Sequence, residues 1–212
     1  MTNKLPTYST TTIVWIHGLN ASHHSFGYLI QVLPEHNHVL VNYNSHQSLS
    51  KSLDQVRAKL PKGQLILAGH SLGGVIAVLL TAEDPARIKR LVTISSPFRG
   101  SRAAAALHWF PGSLPILADI TPRGAFSTKI ASLQLEVPTL NIISTGGHLP
   151  TSLEPNDSVV SISSQRALKF GKKVEIKLNH FEVLMSEKTA DLISDFIFAE
   201  GLPYEDHLAA WA

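Results

Sequence analysis

The chain has 212 residues, 44% of them apolar and 16% charged, with 18 basic and 16 acidic side chains and no cysteine. That length fits one domain with a sizeable core and room for an insertion, and the low charged share argues against disorder. A net charge of +2 with no Lys/Arg block beyond Lys172-Lys173 and Arg87 to Arg90 argues against a nucleic-acid surface, while the lack of cysteine removes disulfides, thiolate metal sites and a cysteine nucleophile.

Met1 to Thr12 is polar and lacks the apolar stretch of a signal peptide, so a cytoplasmic location is the default expectation. Short apolar runs then alternate with helix-like segments, the pattern of a mostly parallel sheet flanked by helices. Ile13–Ile16, Val39–Tyr43, Leu65–Ala68, Leu91–Ile94, Thr139–Ile143 and Val174–Leu178 read as the six strands. Most are continuous rather than alternating, as befits strands covered on both faces. Leu49, Leu53, Val56 and Leu60 recur at helical spacing between the second and third. The longest nearly apolar stretch, Leu65 to Leu80, is broken by His70, Ser71 and three glycines, so no integral membrane span is expected. Residues 99–137 exceed what a crossover needs and carry Trp109, Phe110 and prolines at 111, 115 and 122. They predict short helices inserted within a single domain spanning 1–212, either a cap or lid that shapes a pocket or a packed helical excursion. A last helix places Leu192, Ile193, Phe196 and Ile197 on one face and ends near Gly201.

The stretch from Leu65 to Val78 carries the chemistry. An apolar strand runs into Gly69-His70-Ser71-Leu72-Gly73, and an apolar helix follows without a gap. A strand that reverses into a helix within about one residue forces the central serine into strained geometry. Side chains two residues before and after it would collide with neighbouring backbone, which Gly69 and Gly73 avoid. Ser71 would then stand at the carboxyl edge of the sheet, where such folds bind ligands, above a helix N-terminus that favours developing negative charge.

In these residues the sequence resembles the α/β-hydrolase family, specifically small lipases and esterases with a Gly-His-Ser-Leu-Gly-Gly elbow. The resemblance implies a nucleophile, an acid and a base in that chain order, preceded by an oxyanion loop. His17-Gly18-Leu19-Asn20 is similar to the family's His-Gly loop. The implied oxyanion donors are the amides of Leu19 and Leu72. The acid belongs after the strand Thr139–Ile143, where Asp157-Ser158-Val159-Val160 resembles the family's Asp-Gly-Val-Val segment with Ser for Gly; Glu154 is the alternative. The base belongs after the last strand, which selects His180, with His148 its competitor. Ser95 to Ser101 weakly resembles a lipase loop with Phe98 in place of a histidine, and implies a pocket wall rather than chemistry.

A Ser71–His180–Asp157 triad implies a serine hydrolase of carboxylic esters acting through an acyl-enzyme, and needs no cofactor. Trp109 and Phe110, with Phe98, are candidates for the substrate pocket, suggesting short- to medium-chain acyl esters or lipids. The same triad also serves thioesterases, acyltransferases and amidases, and a non-catalytic receptor for a small ligand is a further alternative. His23-His24 and His36-x-His38 lack the spacing of a zinc hydrolase, so no metal is expected. Nothing in the sequence sets an oligomeric state.

Overall fold

The structure, a computed structural model, describes residues 11–109, 111–122, 124–149 and 152–198. Six strands form one parallel sheet in the order β2-β1-β3-β4-β5-β6: β1 (Thr12–Ile16), β2 (Asn37–Val41), β3 (Leu65–His70), β4 (Ile88–Ile94), β5 (Thr139–Ser144) and β6 (Lys172–Ile176). The helices are α1 (Gly27–Gln31), α2 (Leu49–Ala58), α3 (Leu72–Glu83), α4 (Arg102–Leu107), α5 (Pro115–Asp119), α6 (Ala125–Ser132), α7 (Ile162–Gln165) and α8 (Glu187–Phe198). Among the described residues no helix is long and apolar enough to cross a membrane.

Strand pleat sorts the core into two layers. Val14, Ile16, Leu65, Leu67 and Leu91 point to the face covered by α2, α3 and the inserted helices, while Ile13, Trp15, Ile66, Ala68, Val92, Leu140 and Ile142 point to the face covered by α1 and α8. The central strands are therefore buried on both sides, and the apolar runs that mark them are unbroken. The edge strands behave otherwise. In β6 exposure alternates, with Lys173 and Glu175 outward and Ile176 buried. This edge placement accounts for a Lys-Lys pair inside a strand.

Both edge strands begin and end two residues earlier than the sequence suggests. Pairing sets the limit: Val41 aligns with Ile16, the last residue of β1, and beyond it the Tyr43 amide and hydroxyl turn to His17. Ile176 aligns with Ser144, and the Leu178 amide then folds back onto the Ile176 carbonyl at 2.9 Å.

Among the described residues of 99–137, three short helices lie between β4 and β5. Ala104, Ile116, Ile120, Phe126 and Ile130 bury against the α3 side of the sheet. Trp109 is 81% exposed. Phe98 is 1% exposed within the same core layer, and Phe110 lies outside the described residues. Helix α8 is described as far as Phe198, and Gly201 also lies outside the described residues.

The chain crosses from β1 to β2 on one side and returns to β3 on the other. This switch opens a crevice at the carboxyl ends of β1 and β3. Very close backbone packing makes the crevice: a Cβ on Gly73 would lie 1.9 Å from the Ile16 carbonyl oxygen, and one on Gly69 would lie 2.3 Å from that of Gly73. Gly73→Ala should therefore cost about 3 kcal/mol or more in urea unfolding, because rigid backbone must move. Gly27→Ala meets open space in a helical conformation and should be neutral or gain about 0.5 kcal/mol. Equal effects from the two would contradict this packing.

Candidate active site

Ser71 joins β3 to α3 with φ 53° and ψ −123°, a conformation costly for a residue with a Cβ. Its amide still donates to the Ile94 carbonyl at 2.8 Å, so the sheet ladder holds the turn from one side. A serine before a helix usually caps it. Here the side chain makes no cap hydrogen bond, and its hydroxyl stays available at the crevice. The Leu72 amide belongs to the first turn of α3, whose N–H groups have no intrahelical partner.

The loop after β1 lies directly against this turn. A Cβ on Gly18 would sit 3.0 Å from the Ser71 Cβ, so a larger residue would press the loop and the turn apart by a few tenths of an ångström. His17 fixes its path. Its Nε2 faces the Tyr43 amide at 3.5 Å, which leaves Nδ1–H to donate to the Gly18 carbonyl at 2.8 Å. The Tyr43 ring stacks on the imidazole at 4.4 Å, and burial above all holds His17 below its ordinary pKa.

Asp157 follows β5 and is completely buried. Five donors surround its carboxylate: Oδ2 accepts from His180 Nδ1 at 2.7 Å, Ser144 Oγ at 2.6 Å and Gln165 Nε2 at 3.0 Å, and Oδ1 from the amides of Val159 at 3.0 Å and Val160 at 2.7 Å. Burial works to raise the Asp157 pKa, but the hydrogen bond and charge of His180, with the bonds from Ser144 and Val160, hold it below the ordinary carboxylate value. The loop meets β5 through Gly147, where a Cβ would lie 1.9 Å from the Asp157 carbonyl carbon. Ser158 adopts φ 84°, a left-handed backbone that glycine takes more freely than serine.

Because a carboxylate can only accept, His180 Nδ1 carries the proton toward Asp157 and Nε2 is left as an acceptor. A second histidine holds the first. His70 Nε2–H donates to the His180 carbonyl at 2.9 Å, and the two rings lie 4.6 Å apart. Burial, and then the positive charge His180 can carry, push the His70 pKa down to about 3, so His70 is neutral.

The competing candidates fall elsewhere. Glu154 reaches outward to Arg102 at 3.1 Å, and His148 is exposed, with its amide on Ser158 Oγ. Among the described residues no group of three or more His, Asp or Glu side chains could hold a metal ion. Sequence reasoning missed Ser95, Ser144, Gln165 and Gly147. The signal for the first three was polar residues within or just beyond apolar strands and at a short helix, which periodicity treats as noise.

A family model described as alpha/beta hydrolase fold matches residues 11–122, more than half of the chain. The mature form of the Bacillus licheniformis lipase BlEst2 superposes with a TM-score of 0.76 at 16% identity, over 92% of this chain and 94% of the lipase. A metagenome-derived lipolytic enzyme superposes at 0.69 with 16% identity, covering 90% and 93% of the two chains. A pyrethroid hydrolase from Sphingobium faniae JZ-2 does so at 0.62 with 18% identity, covering 90% and 98%. No curated protein sequence matches the chain.

His70 gives the site a pH signature. In the unfolded chain it takes up a proton below about 6.5, but in the folded protein only near 3. Between those values the unfolded state holds more protons, so stability falls as pH falls. Between pH 7 and 4.5 the wild type should lose on the order of 1–2 kcal/mol more than His70→Gln, measured by urea unfolding at both values. Parallel losses would remove His70 as the cause.

Proposed function

Given that the chain belongs to the alpha/beta-hydrolase family, we propose that it cleaves carboxylic esters through Ser71, His180 and Asp157. One observation carries this reading: His180, bonded to the buried Asp157 at 2.7 Å, is held through its carbonyl by His70, the residue before an uncapped serine in a strained strand-to-helix turn. The lipolytic and ester-cleaving neighbours support the same class of reaction.

In the proposed cycle, the Ser71 oxygen attacks the acyl carbon while His180 Nε2 takes the hydroxyl proton. Asp157 stabilises the imidazolium so formed. The amides of Leu19 and Leu72 hold the oxyanion, a contribution of about 3 kcal/mol per donor where such donors have been removed. His180 returns the proton to the leaving alcohol, and a water deprotonated by the same nitrogen then cleaves the acyl-enzyme. Asp157, kept ionised below the usual carboxylate range, supports the imidazolium throughout.

The acyl side of the substrate has a candidate berth. A cavity of about 440 Å³ runs between the start of α4 and the Asp157 loop, lined in part by Ala106, Leu149, Val159 and Val160. Arg102, Ser152, Glu154 and Asn156 share the lining, so an acyl chain of modest length would lie along the apolar wall only. Each CH₂ buried adds about 0.8 kcal/mol, nearly fourfold in binding.

Ser71→Ala should lower p-nitrophenyl ester hydrolysis by several orders of magnitude without loss of fold, and a variant retaining a tenth of the activity would end the proposal. Asp157→Asn should cost about 10⁴-fold and Glu154→Gln less than about threefold. The reverse order would move the acid to Glu154. Across acyl lengths the rate should rise to an optimum and then fall. Val159→Trp should shorten that optimum if this cavity holds the chain, and Trp109→Ala should lengthen it only if Trp109 closes the site.

A further inference from the structure

The polar seam behind Asp157 is a buried hydrogen-bond network that the proposed reaction leaves unexplained. Ser95, Ser144, Gln165, Thr93 and Asn141 are all completely buried. Their hydrogen bonds have fixed directions. Ser144 Oγ must donate to the Asp157 carboxylate at 2.6 Å, so it accepts from Ser95 Oγ, also at 2.6 Å. Ser95 is itself held at φ 52° just after β4, with its amide on the Ile142 carbonyl. Gln165 clamps the same place: Oε1 accepts from the Ser144 amide at 2.9 Å, and Nε2 donates to the Ser144 carbonyl at 3.1 Å and to Asp157. Asn141 in turn holds the Gln165 carbonyl at 2.9 Å and accepts from Thr93 at 3.0 Å.

The acid, the base and this seam share one oxygen. Asp157 Oδ2 receives the His180 proton and the Ser144 hydroxyl together. A buried carboxylate with a single histidine partner would draw that histidine into its charged form, and a charged imidazole cannot act as a base. Each additional donor spreads the carboxylate charge and weakens that pull.

We propose that Ser144, oriented by Ser95 and clamped by Gln165, is a positioning residue that keeps His180 competent as a base by sharing the Asp157 oxygen that His180 uses. The inference rests on the hydrolase reading. Among the described residues the titratable groups facing the His180 ring are Asp157 and the neutral His70, whose ring is tilted by 50° with centroids 4.6 Å apart. Glu182, close in sequence, is exposed and spends its carboxylate on the Asn179 amide.

The test uses Ser144→Ala and Ser95→Ala in the whole chain, with thermal unfolding to confirm the fold. In Ser144→Ala the acid limb of the kcat/KM profile should move up by about 0.5 to 1 pH unit, a three- to tenfold loss on that limb that disappears at high pH. A purely structural defect would lower the rate at every pH alike. Ser95→Ala should move the limb the same way by less, and carries the test alone if Ser144→Ala fails to fold. The His180 ring resonances, followed by NMR against pH, should show the same displacement without any substrate. A folded Ser144→Ala with its limb and His180 titration unmoved, or moved to lower pH, overturns the inference; so does an unmoved Ser95→Ala should Ser144→Ala not fold. If the wild type hydrolyses no ester, the hydrolase reading falls by itself, while the His180 titration still judges Ser144.

Discussion

The reversal of β3 into α3 is the constraint around which the molecule is arranged. It leaves no room for a Cβ at Gly69 or Gly73, and it turns Ser71 to φ 53°. Such a turn survives only when its surroundings over-determine it. Here the ladder to Ile94 holds the Ser71 amide, and the β1 backbone presses on Gly73. The apolar length of α3 supplies the anchorage: from Leu72 to Thr81 every residue is buried. The hydroxyl is thus presented by packing on every side, not by a flexible loop.

A second constraint is electrostatic. An ionised carboxylate with no solvent exposure is stable only if its lone pairs are occupied. Five donors do this at Asp157, and they come from four places: the end of β5, the backbone of the Asp157 loop itself, helix α7 and the loop after β6. Satisfying the charge therefore ties together the carboxyl end of the sheet. The same network that makes burial of Asp157 tolerable also orients His180, so local stability and site geometry are one problem.

The inserted helices differ from both. They anchor through Ile116, Ile120, Phe126 and Ile130 on the α3 face, while Trp109 stands 81% exposed. They meet the acid loop through the exposed Arg102–Glu154 pair, an interaction of little strength in water. The core of the site is rigid because backbone is packed on backbone. Its rim is joined by weaker contacts.

Much of this was legible in the residues themselves. Hydrophobic periodicity located six strands and the flanking helices, because burial on both faces writes an unbroken apolar run. The glycines about Ser71 announced the turn, since no other residue fits there. The position of His180 after the last strand and of Asp157 after the fifth followed from chain order within the family. Strand ends were displaced by two residues because pairing partners, not composition, decide where a ladder stops. Ser144, Gln165 and Ser95 were invisible for a deeper reason: they lie far apart in the chain, and nothing local distinguishes a buried serine that donates to a carboxylate from one that faces water. Only the parallel order of β4 and β5 brings them to a common oxygen, and hydrogen-bond satisfaction of that oxygen is a property of the folded neighbourhood alone.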